Sequence, residues 1–253
     1  MKNRYSHVLQ PILCFIFLSN MSHLASADEP VSVVELFTSH GCYSCPAADE
    51  HLADLINDRI DVIALEYHVD YWDTLVWGSD GSWRDPFSSP EYTQRQRGYH
   101  AANLNGRRGV YTPQMVVDGR FAAVGSDRKS IKKALSNKND SSLNVHVEST
   151  STGVSIGLNG DASDSAKVWL VVFDQEKTTD IPRGENAGKT LDNHHIVKSM
   201  QSVGDWKGAA TTIQTNITLA EGEGCAVLIQ SLSYDTPGPI MGASYCPKTR
   251  GLD

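Results

Sequence analysis

Apolar runs and helix-like periodicity alternate in the first part of the chain. Residues 32–38 and 62–69 are rich in Val, Ile and Leu, which is typical of strands buried on both faces of a sheet. Between them, residues 46–57 repeat leucine and isoleucine at helical spacing after Pro46, which the first turn of a helix tolerates. The pattern predicts a strand, a helix and a second strand.

Four further elements are predicted before residue 138. Residues 90–103 have the pattern of a very polar helix. Residues 114–117 and 121–124 are short apolar runs around an Asp-Gly pair, which is a strong hairpin signal. Residues 127–135 follow a serine suited to cap a helix. The predicted order is β-α-β-α-β-β-α.

Beyond residue 138 the pattern favours strands without helices. A polar stretch at residues 137–142 is followed by segments with the period-two alternation of half-buried strands. The predicted strands are residues 143–149, 154–158, 168–174, 195–200, 211–219 and 225–232. Such a series of strands predicts an all-β, sandwich-like domain.

The first 27 residues have the features of a secretory signal peptide. Lys2 and Arg4 give a basic start, residues 8–18 are mostly apolar, and a small-residue cleavage pattern ends at Ala27. The apolar stretch is too short for a stable membrane anchor. We therefore expect cleavage of residues 1–27 near Ala27 and a mature protein that is periplasmic or secreted.

The charge of the chain narrows the range of partners. The chain has 22 basic and 30 acidic residues, so its net charge is −8, and loss of two basic residues with the signal peptide would make it −10. A surface of this kind without basic clusters argues against binding of nucleic acid or of an anionic membrane. No nucleotide motif stands out, so the sequence predicts no cofactor.

Cleavage of the signal peptide would remove one of the five cysteines, Cys14. An even number of cysteines in an exported protein suggests two disulfides, and four cysteines allow three pairings. Closeness along the chain favours Cys42–Cys45 as a redox-active pair and Cys225–Cys246 as a structural disulfide.

The run at residues 41–46 (GCYSCP) places two cysteines at the start of the predicted helix. The unpaired N–H groups and partial positive charge of a helix N-terminus favour a thiolate over a thiol. Cys42 can then attack a disulfide as an exposed nucleophile, and Cys45 can resolve the mixed disulfide. The sequence therefore predicts a thiol–disulfide oxidoreductase acting on disulfide-containing or dithiol proteins of the cell envelope, or on small thiols. A membrane redox partner is one route for the electrons.

The order of elements around this pair resembles the thioredoxin fold. Thr112 and Pro113 directly precede the predicted strand 114–117, at the point where thioredoxin-like proteins carry a cis-proline facing the CxxC. The resemblance implies that Pro113 shapes the substrate groove and that the backbone of Thr112 pairs with the substrate chain. It also implies that Glu35 accepts a proton from Cys45; the alternative is an exposed or paired acid.

The whole mature chain further resembles a family of exported bacterial proteins of unassigned function. The motifs that carry this resemblance are residues 34–42 (VELFTSHGC), 68–73 (HVDYWD), 111–115 (YTPQM) and 183–188 (RGENAG). The resemblance implies an α/β thioredoxin-like domain over residues 28–138, followed by an all-β sandwich-like domain over residues 139–253. It implies no substrate.

Two other functions stay open. Cys42, Cys45 and His68 could form a copper or zinc delivery site, because copper-delivering proteins of the thioredoxin fold use two cysteines and a distant histidine. Asp70 and Asp73 are also metal ligands by type. Alternatively, Cys42–Cys45 is a structural disulfide in a non-catalytic binding module.

The roles of three neighbouring segments are also open at this stage. His40 stabilises a thiolate at Cys42 if its ring reaches the sulfur, and otherwise lies exposed. The connection over residues 67–87 is rich in aromatic residues, and forms either a wall for a substrate peptide or a loop packed on the rest of the protein. Glycine-rich residues 183–189 lack a phosphate-binding pattern and predict a plain loop.

Overall fold

One nine-stranded sheet contains strands from both parts of the chain. The computed structural model describes residues 31–75, 83–137, 143–160, 165–233 and 236–247. Within these ranges strand residues outnumber helix residues, and they form a large mixed sheet and a separate three-stranded sheet.

The described ranges contain four helices and twelve strands. The helices are α1 (Pro46–Asp58), α2 (Trp72–Leu75), α3 (Pro90–Ala101) and α4 (Arg128–Leu135). The strands are β1 (Ser32–Thr38), β2 (Val62–His68), β3 (Asn105–Gly106), β4 (Gln114–Val117), β5 (Phe121–Val124), β6 (Asn144–Ser149), β7 (Gly153–Asn159), β8 (Ala166–Asp180), β9 (Thr190–Trp206), β10 (Thr211–Asn216), β11 (Glu223–Ser233) and β12 (Thr236–Tyr245).

The strand order in the large sheet is β12-β11-β8-β9-β2-β1-β4-β5-β3. β1 and β2 pair in parallel along their whole length, as expected for strands joined by a crossover helix. β9 joins β2 through the parallel pair Glu66 and Ile196, next to a bend at His195, whose φ is +49°. This junction attaches the long hairpin β8–β9 to the part of the sheet that carries the CxxC motif.

Three apolar clusters hold the layers together. Helices α1 and α4 cover one face of the central strands, where Leu36, Leu52 and Ile131 are buried together. Helix α3 covers the other face, where its tyrosines meet residues of β1, β2, β8 and β11. The three-stranded sheet β10-β7-β6 packs on β8 and β11 and buries Ile156 and Val227. The third cluster is therefore a contact of one sheet on another.

The predicted order of elements before residue 138 is confirmed, with the short α2 and β3 added between the predicted elements. The six strands predicted after residue 138 are also present as β6 to β11. The structure shows a mostly β protein with a large mixed sheet that receives strands from both predicted domains. Residues 138–142 lie outside the described ranges, and the division into two domains there stays a prediction.

Strand β12 was not predicted. Its sequence contains two prolines and two glycines within ten residues, which argues against a central strand. The strand lies at the edge of the large sheet, where one side needs no backbone donors. The edge position therefore explains how a segment with two prolines can form a strand.

The lengths of β8 and β9 also exceed the prediction. Residues 176–179 of β8 are polar and mostly exposed, as are several residues facing them in β9, so no apolar alternation marks this half of the hairpin. Backbone hydrogen bonds between β8 and β9 hold this half of the hairpin together instead. The extended hairpin carries the loop of residues 181–189 to the CxxC motif.

The predicted signal peptide at residues 1–27 lies outside the described residues. Within the part of the chain that the structure describes, no helix is long and apolar enough to cross a membrane.

Candidate functional site

Cys42 and Cys45 form a disulfide at the start of helix α1. Cys45 is the residue that precedes the first helical turn, and its carbonyl accepts hydrogen bonds from the N–H groups of Ala48 and Asp49. Pro46 occupies the first helical position, where no N–H donor is required. The predicted disulfide and its place before a helix are confirmed.

Both cysteines are buried. Cys42 is 1% exposed and Cys45 is fully buried, whereas Tyr43 between them is 69% exposed. The expectation that Cys42 is an exposed nucleophile is therefore wrong for this oxidised state. The reason is a distant segment that covers the motif.

This segment is the covering loop, residues 181–189, between β8 and β9. The side-chain amide of Asn186 donates hydrogen bonds to the carbonyls of His40 (2.9 Å) and Cys42 (2.8 Å), and Asn186 is itself fully buried. Gly184 and Gly188 adopt positive φ angles of 85° and 82°, which the tight path of the loop requires. The segment predicted as a plain loop thus seals the disulfide.

Charged side chains of the covering loop hold Tyr43 as well. The Tyr43 N–H donates to a carboxylate oxygen of Glu185 at 2.8 Å. The ammonium group of Lys189 lies 5.0 Å from the centre of the Tyr43 ring and donates to the Asn186 side-chain oxygen. The cover is therefore fixed by polar contacts, which can break without exposing a large apolar surface.

Asp49 is a buried acid one helical turn after Cys45. Residues four apart lie on the same helix face, and Asp49 is 6% exposed. Its carboxylate accepts a hydrogen bond from the Thr38 hydroxyl at 2.7 Å. Burial, together with the nearby charge of Glu66, raises the pKa of Asp49 well above its ordinary value. An acid whose pKa is raised in this way is a stronger proton acceptor than an ordinary carboxylate.

Glu35 lies on the other face of the sheet. Its carboxylate accepts hydrogen bonds from Arg95 of α3, at 2.6 Å, and from the Tyr99 hydroxyl. Its neighbours Val34 and Leu36 point instead into the cluster under α1. The role of Glu35 as proton acceptor for Cys45 therefore does not fit this geometry, because alternation along β1 turns the side chain away from α1.

The Thr112–Pro113 peptide bond is cis, as the sequence predicted. The Pro113 carbonyl accepts a hydrogen bond from the N–H of Gly125, and a side chain at Gly125 would collide with Ala48 of α1 and approach Pro113. Pro113 therefore lies on the same side of the sheet as α1. The Thr112 hydroxyl accepts a hydrogen bond from the Trp72 indole at 2.7 Å.

A buried polar cluster lies beside the motif. The His68 ring is hydrogen-bonded to Asp85 (Nδ1–Oδ2, 2.8 Å) and Glu66 (Nε2–Oε1, 3.0 Å). The His40 ring is hydrogen-bonded through Nε2 to the side-chain oxygen of Asn193 at 2.8 Å. His40 is 1% exposed, so the interpretation as an exposed loop histidine is wrong.

The pKa values of the two histidines in this cluster are shifted in opposite directions. Burial lowers the pKa of His40. Burial also disfavours the charged form of His68, but the adjacent Asp85 and Glu66 outweigh it and raise the His68 pKa well above its usual range. Burial alone would raise the pKa of Asp85, but His68 outweighs that effect and lowers it.

The aromatic connection contributes to this cluster. The Phe87 ring packs edge-on against the rings of His40 and His68, at centroid distances of 5.5 and 5.3 Å. Tyr67 is fully buried under α3. Tyr67 is packed inside the protein, as the second of the two interpretations expected, whereas Phe87 and Trp72 are partly buried, the latter beside Thr112. Trp77 lies outside the described residues.

The cysteines do not join a metal-ligand group with His68. Among the described residues, the atoms of His40, His68 and Asp85 form the group of possible ligands within 4.8 Å of one another. The carboxylate of Asp70 accepts a hydrogen bond from Thr93, and that of Asp73 accepts hydrogen bonds from Ser88 and from the Asp85 backbone. The predicted combination of Cys42, Cys45 and His68 gains no support from this arrangement.

Cys225 and Cys246 form the second disulfide, as predicted. The Cys246 N–H donates to the Cys225 carbonyl at 2.8 Å, so the bond ties β11 to the end of β12. Cys225 is 2% exposed among the apolar side chains between the two sheets. This disulfide has a structural setting.

Two clefts lie away from the CxxC motif. One of about 640 Å³ lies beside α3 and is lined in part by Arg97, Trp169, Met200 and Leu232. Another of about 530 Å³ is lined in part by residues 101–105. Neither includes residues of the motif, the covering loop or the histidine cluster.

Sequence reasoning missed four residues of the site: Asp49, Asp85, Asn186 and Asn193. The spacing of Asp49 from Cys45 is a helical signal that could have identified it. Asn186 lies in one of the motifs that carried the family resemblance. No sequence pattern marked Asp85 or Asn193, because only folding brings them close to His40.

Comparison with known proteins places the chain in a family. A crystal structure of protein AGR_C_4864 from Agrobacterium tumefaciens is similar at 34% sequence identity and a TM-score of 0.72, over 88% of this chain and 98% of that one. HBP35 of Porphyromonas gingivalis is similar in fold alone, with a TM-score of 0.54 at 14% identity over 88% of this chain and 79% of that one. Among curated proteins, none matches. Residues 33–230 match a family described as protein of unknown function. The chain therefore belongs to the DUF1223 family.

Proposed function

We propose that this protein is a thiol–disulfide oxidoreductase whose N-terminal part is thioredoxin-like. The observation that carries the proposal is the Cys42–Cys45 disulfide, which follows a buried strand and immediately precedes α1. A helix N-terminus stabilises a thiolate at this position. An exported chain with this site would act on proteins of the bacterial envelope.

The chemistry is a two-step exchange of disulfides. In the reduced protein, the Cys42 thiolate attacks a substrate disulfide, forms a mixed disulfide and releases one substrate thiolate, which takes up a proton. The Cys45 thiolate then attacks the Cys42 sulfur and releases the second substrate thiolate. The protein ends oxidised and the substrate gains two electrons. In reverse, the oxidised protein takes two electrons from a substrate dithiol.

Asp49 is the acid we assign to the resolving step. It lies on the same face of α1 as Cys45, is buried, and has a raised pKa, so it can accept the proton that Cys45 loses. It takes the role that the sequence suggested for Glu35, which is engaged by Arg95 on the opposite face.

Thr112 and Pro113 position the substrate in this proposal. The closeness of Pro113 to the residues that contact α1 supports the role that the thioredoxin resemblance implies. The Trp72 indole holds the Thr112 side chain, which leaves the Thr112 backbone to pair with a substrate chain.

The covering loop must move before a substrate sulfur can reach Cys42, because Cys42 is 1% exposed beneath it. The polar contacts of Glu185, Asn186 and Lys189 make this opening less costly than withdrawal of an apolar segment. A partner that binds these side chains would displace the covering loop and expose Cys42. A membrane protein that supplies or removes electrons is a partner of this kind.

Trapping of substrates tests the proposal. In Cys45→Ser the mixed disulfide on Cys42 cannot be resolved, so substrates should remain attached when the variant is exported by a cell of its own host. We expect covalent adducts that disappear on reduction and that mass spectrometry identifies as envelope proteins. The double variant Cys42→Ser/Cys45→Ser is the control and should trap nothing. Absence of adducts on Cys42, with the variant folded and exported, would contradict the proposal.

Burial of the disulfide favours one other function, a non-catalytic binding module with a structural Cys42–Cys45 bond. The reduction potential separates the two functions. Structural disulfides of secreted proteins have potentials below about −300 mV, whereas catalytic ones are more oxidising. Equilibration with glutathione buffers should therefore reduce the motif under the oxidoreductase proposal and leave it oxidised under the alternative.

A further inference from the structure

His40, His68 and Asp85 converge from three separate segments. His40 lies between β1 and α1, His68 ends β2, and Asp85 lies in the connection before α3. All three are buried, at 1%, 0% and 3% exposure. One ligand atom of each, a ring nitrogen or a carboxylate oxygen, lies within 4.8 Å of those of the other two. Small shifts of the side chains would place the three atoms around one ion.

The outer nitrogens of both rings are occupied by partners that fix the ring orientation. Asn193 donates its amide N–H to Glu66 at 2.7 Å, so its side-chain oxygen faces His40 Nε2, which must donate. Glu66 accepts from His68 Nε2 at 3.0 Å. In both histidines Nε2 is therefore the outer nitrogen, and Nδ1 faces Asp85.

Among the described residues, His40 Nδ1 has no hydrogen-bond partner although it is fully buried. Because Nε2 donates to Asn193, Nδ1 of the neutral ring presents a lone pair to Asp85 Oδ1, which is 3.6 Å away. Two acceptors facing each other repel, and a buried unsatisfied polar atom costs about 1–3 kcal/mol. A cation between them would remove both penalties.

A simple ion-pair network accounts for only part of this cluster. A charged His68 between Asp85 and Glu66 satisfies His68 and both acids. This network leaves His40 Nδ1 without a hydrogen-bond partner among the described residues. It also does not explain why Asn193 holds the His40 ring with Nδ1 toward Asp85. A buried polar atom without a partner calls for a specific explanation.

We propose that His40 Nδ1, His68 Nδ1 and the Asp85 carboxylate bind a divalent transition-metal ion, with Zn²⁺ as the best fit. The ion replaces the hydrogen bond between His68 Nδ1 and Asp85, and the Nδ1 proton is released to solvent. Two imidazoles and one carboxylate are a donor set that Zn²⁺ accepts, whereas Ca²⁺ and Mg²⁺ require oxygen ligands. Glu66 and Asn193 are the outer partners that orient ligating histidines. Phe87 covers both rings and limits access of water. The cysteines take no part.

Titration of the oxidised protein with Zn²⁺ tests this site, because cysteines joined in disulfides cannot act as thiolate ligands. Competition with a chromophoric chelator should show one Zn²⁺ per chain. His40→Ala and Asp85→Asn should each weaken binding more than 100-fold, and Asn193→Ala should weaken it about 10- to 100-fold. His146→Ala is the control; this histidine is exposed on β6 and its removal should change nothing.

Failure of the oxidised protein to bind Zn²⁺ would overturn the proposal, as would undiminished binding by folded His40→Ala. Binding that appears only after reduction and is lost in Cys42→Ser would assign the metal to the cysteines instead. Circular dichroism and melting curves identify variants that do not fold. Co²⁺ added to the oxidised wild type supplies a readout without mutation: absorption of a site with nitrogen and oxygen ligands supports the proposal, and the spectrum of hydrated Co²⁺ contradicts it.

Discussion

The two disulfides within the described residues differ in their surroundings: Cys42, Cys45 and Cys225 are buried, and Cys246 is partly buried. Cys42–Cys45 precedes a helix, beside a cluster of buried histidines and acids, under a loop held by polar contacts. Cys225–Cys246 joins two neighbouring strands among apolar side chains. A thiolate is stabilised at a helix N-terminus and penalised in an apolar setting. The environments of the two bonds are the reason that we propose exchange for the first and a structural role for the second.

The strongest test of this contrast removes the attacking sulfur. Cys42→Ser should abolish disulfide exchange, because no thiolate at the helix N-terminus remains to attack. The double variant Cys225→Ala/Cys246→Ala should keep the exchange rate of the wild type. Reduction of a fluorescently labelled disulfide peptide measures both. Loss of exchange in the second variant, with its fold intact, would show that Cys225–Cys246 also takes part in exchange and would contradict the contrast.

The same double variant should lose stability. Opening the loop closed by Cys225–Cys246, whose ends are 21 residues apart, lowers the free energy of unfolding by about 3 kcal/mol in the loop-entropy model. Cys42→Ala/Cys45→Ala should lose less, because its ends are three residues apart. Urea unfolding of the two variants measures the difference, and equal losses would contradict the structural assignment.

Asp49→Asn should slow exchange at Cys42–Cys45 by about 100-fold, the lower end of general base catalysis. Asparagine keeps the hydrogen bond from Thr38 but cannot accept a proton. The decay of the mixed disulfide, followed by rapid quench, isolates the step in which Cys45 attacks. Asp54→Asn, half exposed on the same helix, is the matched control. An unchanged decay would remove Asp49 from the mechanism.

Asn186→Ala should make the covered disulfide more accessible. It removes two hydrogen bonds from the covering loop to His40 and Cys42, together worth about 2 kcal/mol, which raises the open population by up to about 30-fold. Alkylation and mass spectrometry should show faster reduction of Cys42–Cys45 by dithiothreitol, with Cys225–Cys246 unaffected. Asn159→Ala, exposed on β7, is the control. An unchanged rate would show that the loop does not limit access.

The smallest expected effect is a pH dependence of stability. The pKa of Asp49 is raised in the folded state by burial and by Glu66 and Asp85, and lowered in part by Thr38 and His68. The folded state therefore binds this proton more tightly than the unfolded state, so its contribution is complete at low pH and is lost as pH rises. Urea unfolding between about pH 4 and pH 7 should show a shallower fall for Asp49→Asn than for the wild type. Parallel curves would contradict the assignment.

Much of the fold was predictable because its signals are local. The strand, CxxC and helix at residues 32–58 follow from apolar runs and helical spacing, and β6 to β11 from alternation. Strand β12 was missed because prolines usually argue against a strand, whereas an edge strand such as β12 tolerates them. The polar half of the β8–β9 hairpin was missed because hydrogen bonds, and not apolar side chains, hold it.

The candidate site was predictable in part for the same reason. The cysteine pair and Pro113 follow from local motifs and the order of elements. Of the two interpretations of Glu35, the structure supports the paired acid. The sequence could not decide between them, because the partner Arg95 is 60 residues away and the sequence does not reveal which face of β1 meets which helix. We propose that role for Asp49 instead, because helical spacing puts it one turn after Cys45.

The sequence by itself located the CxxC motif and favoured the disulfide pairings that form, since both pairs are close along the chain. Only the tertiary structure decided that Cys42 is covered and that His40 faces Asp85. Asn186 is 144 residues from Cys42 and Asn193 is 153 residues from His40. Pairing of β9 with β2 brings them together. Periodicity reports neighbours within one element, whereas contacts of this range depend on how separate strands join one sheet.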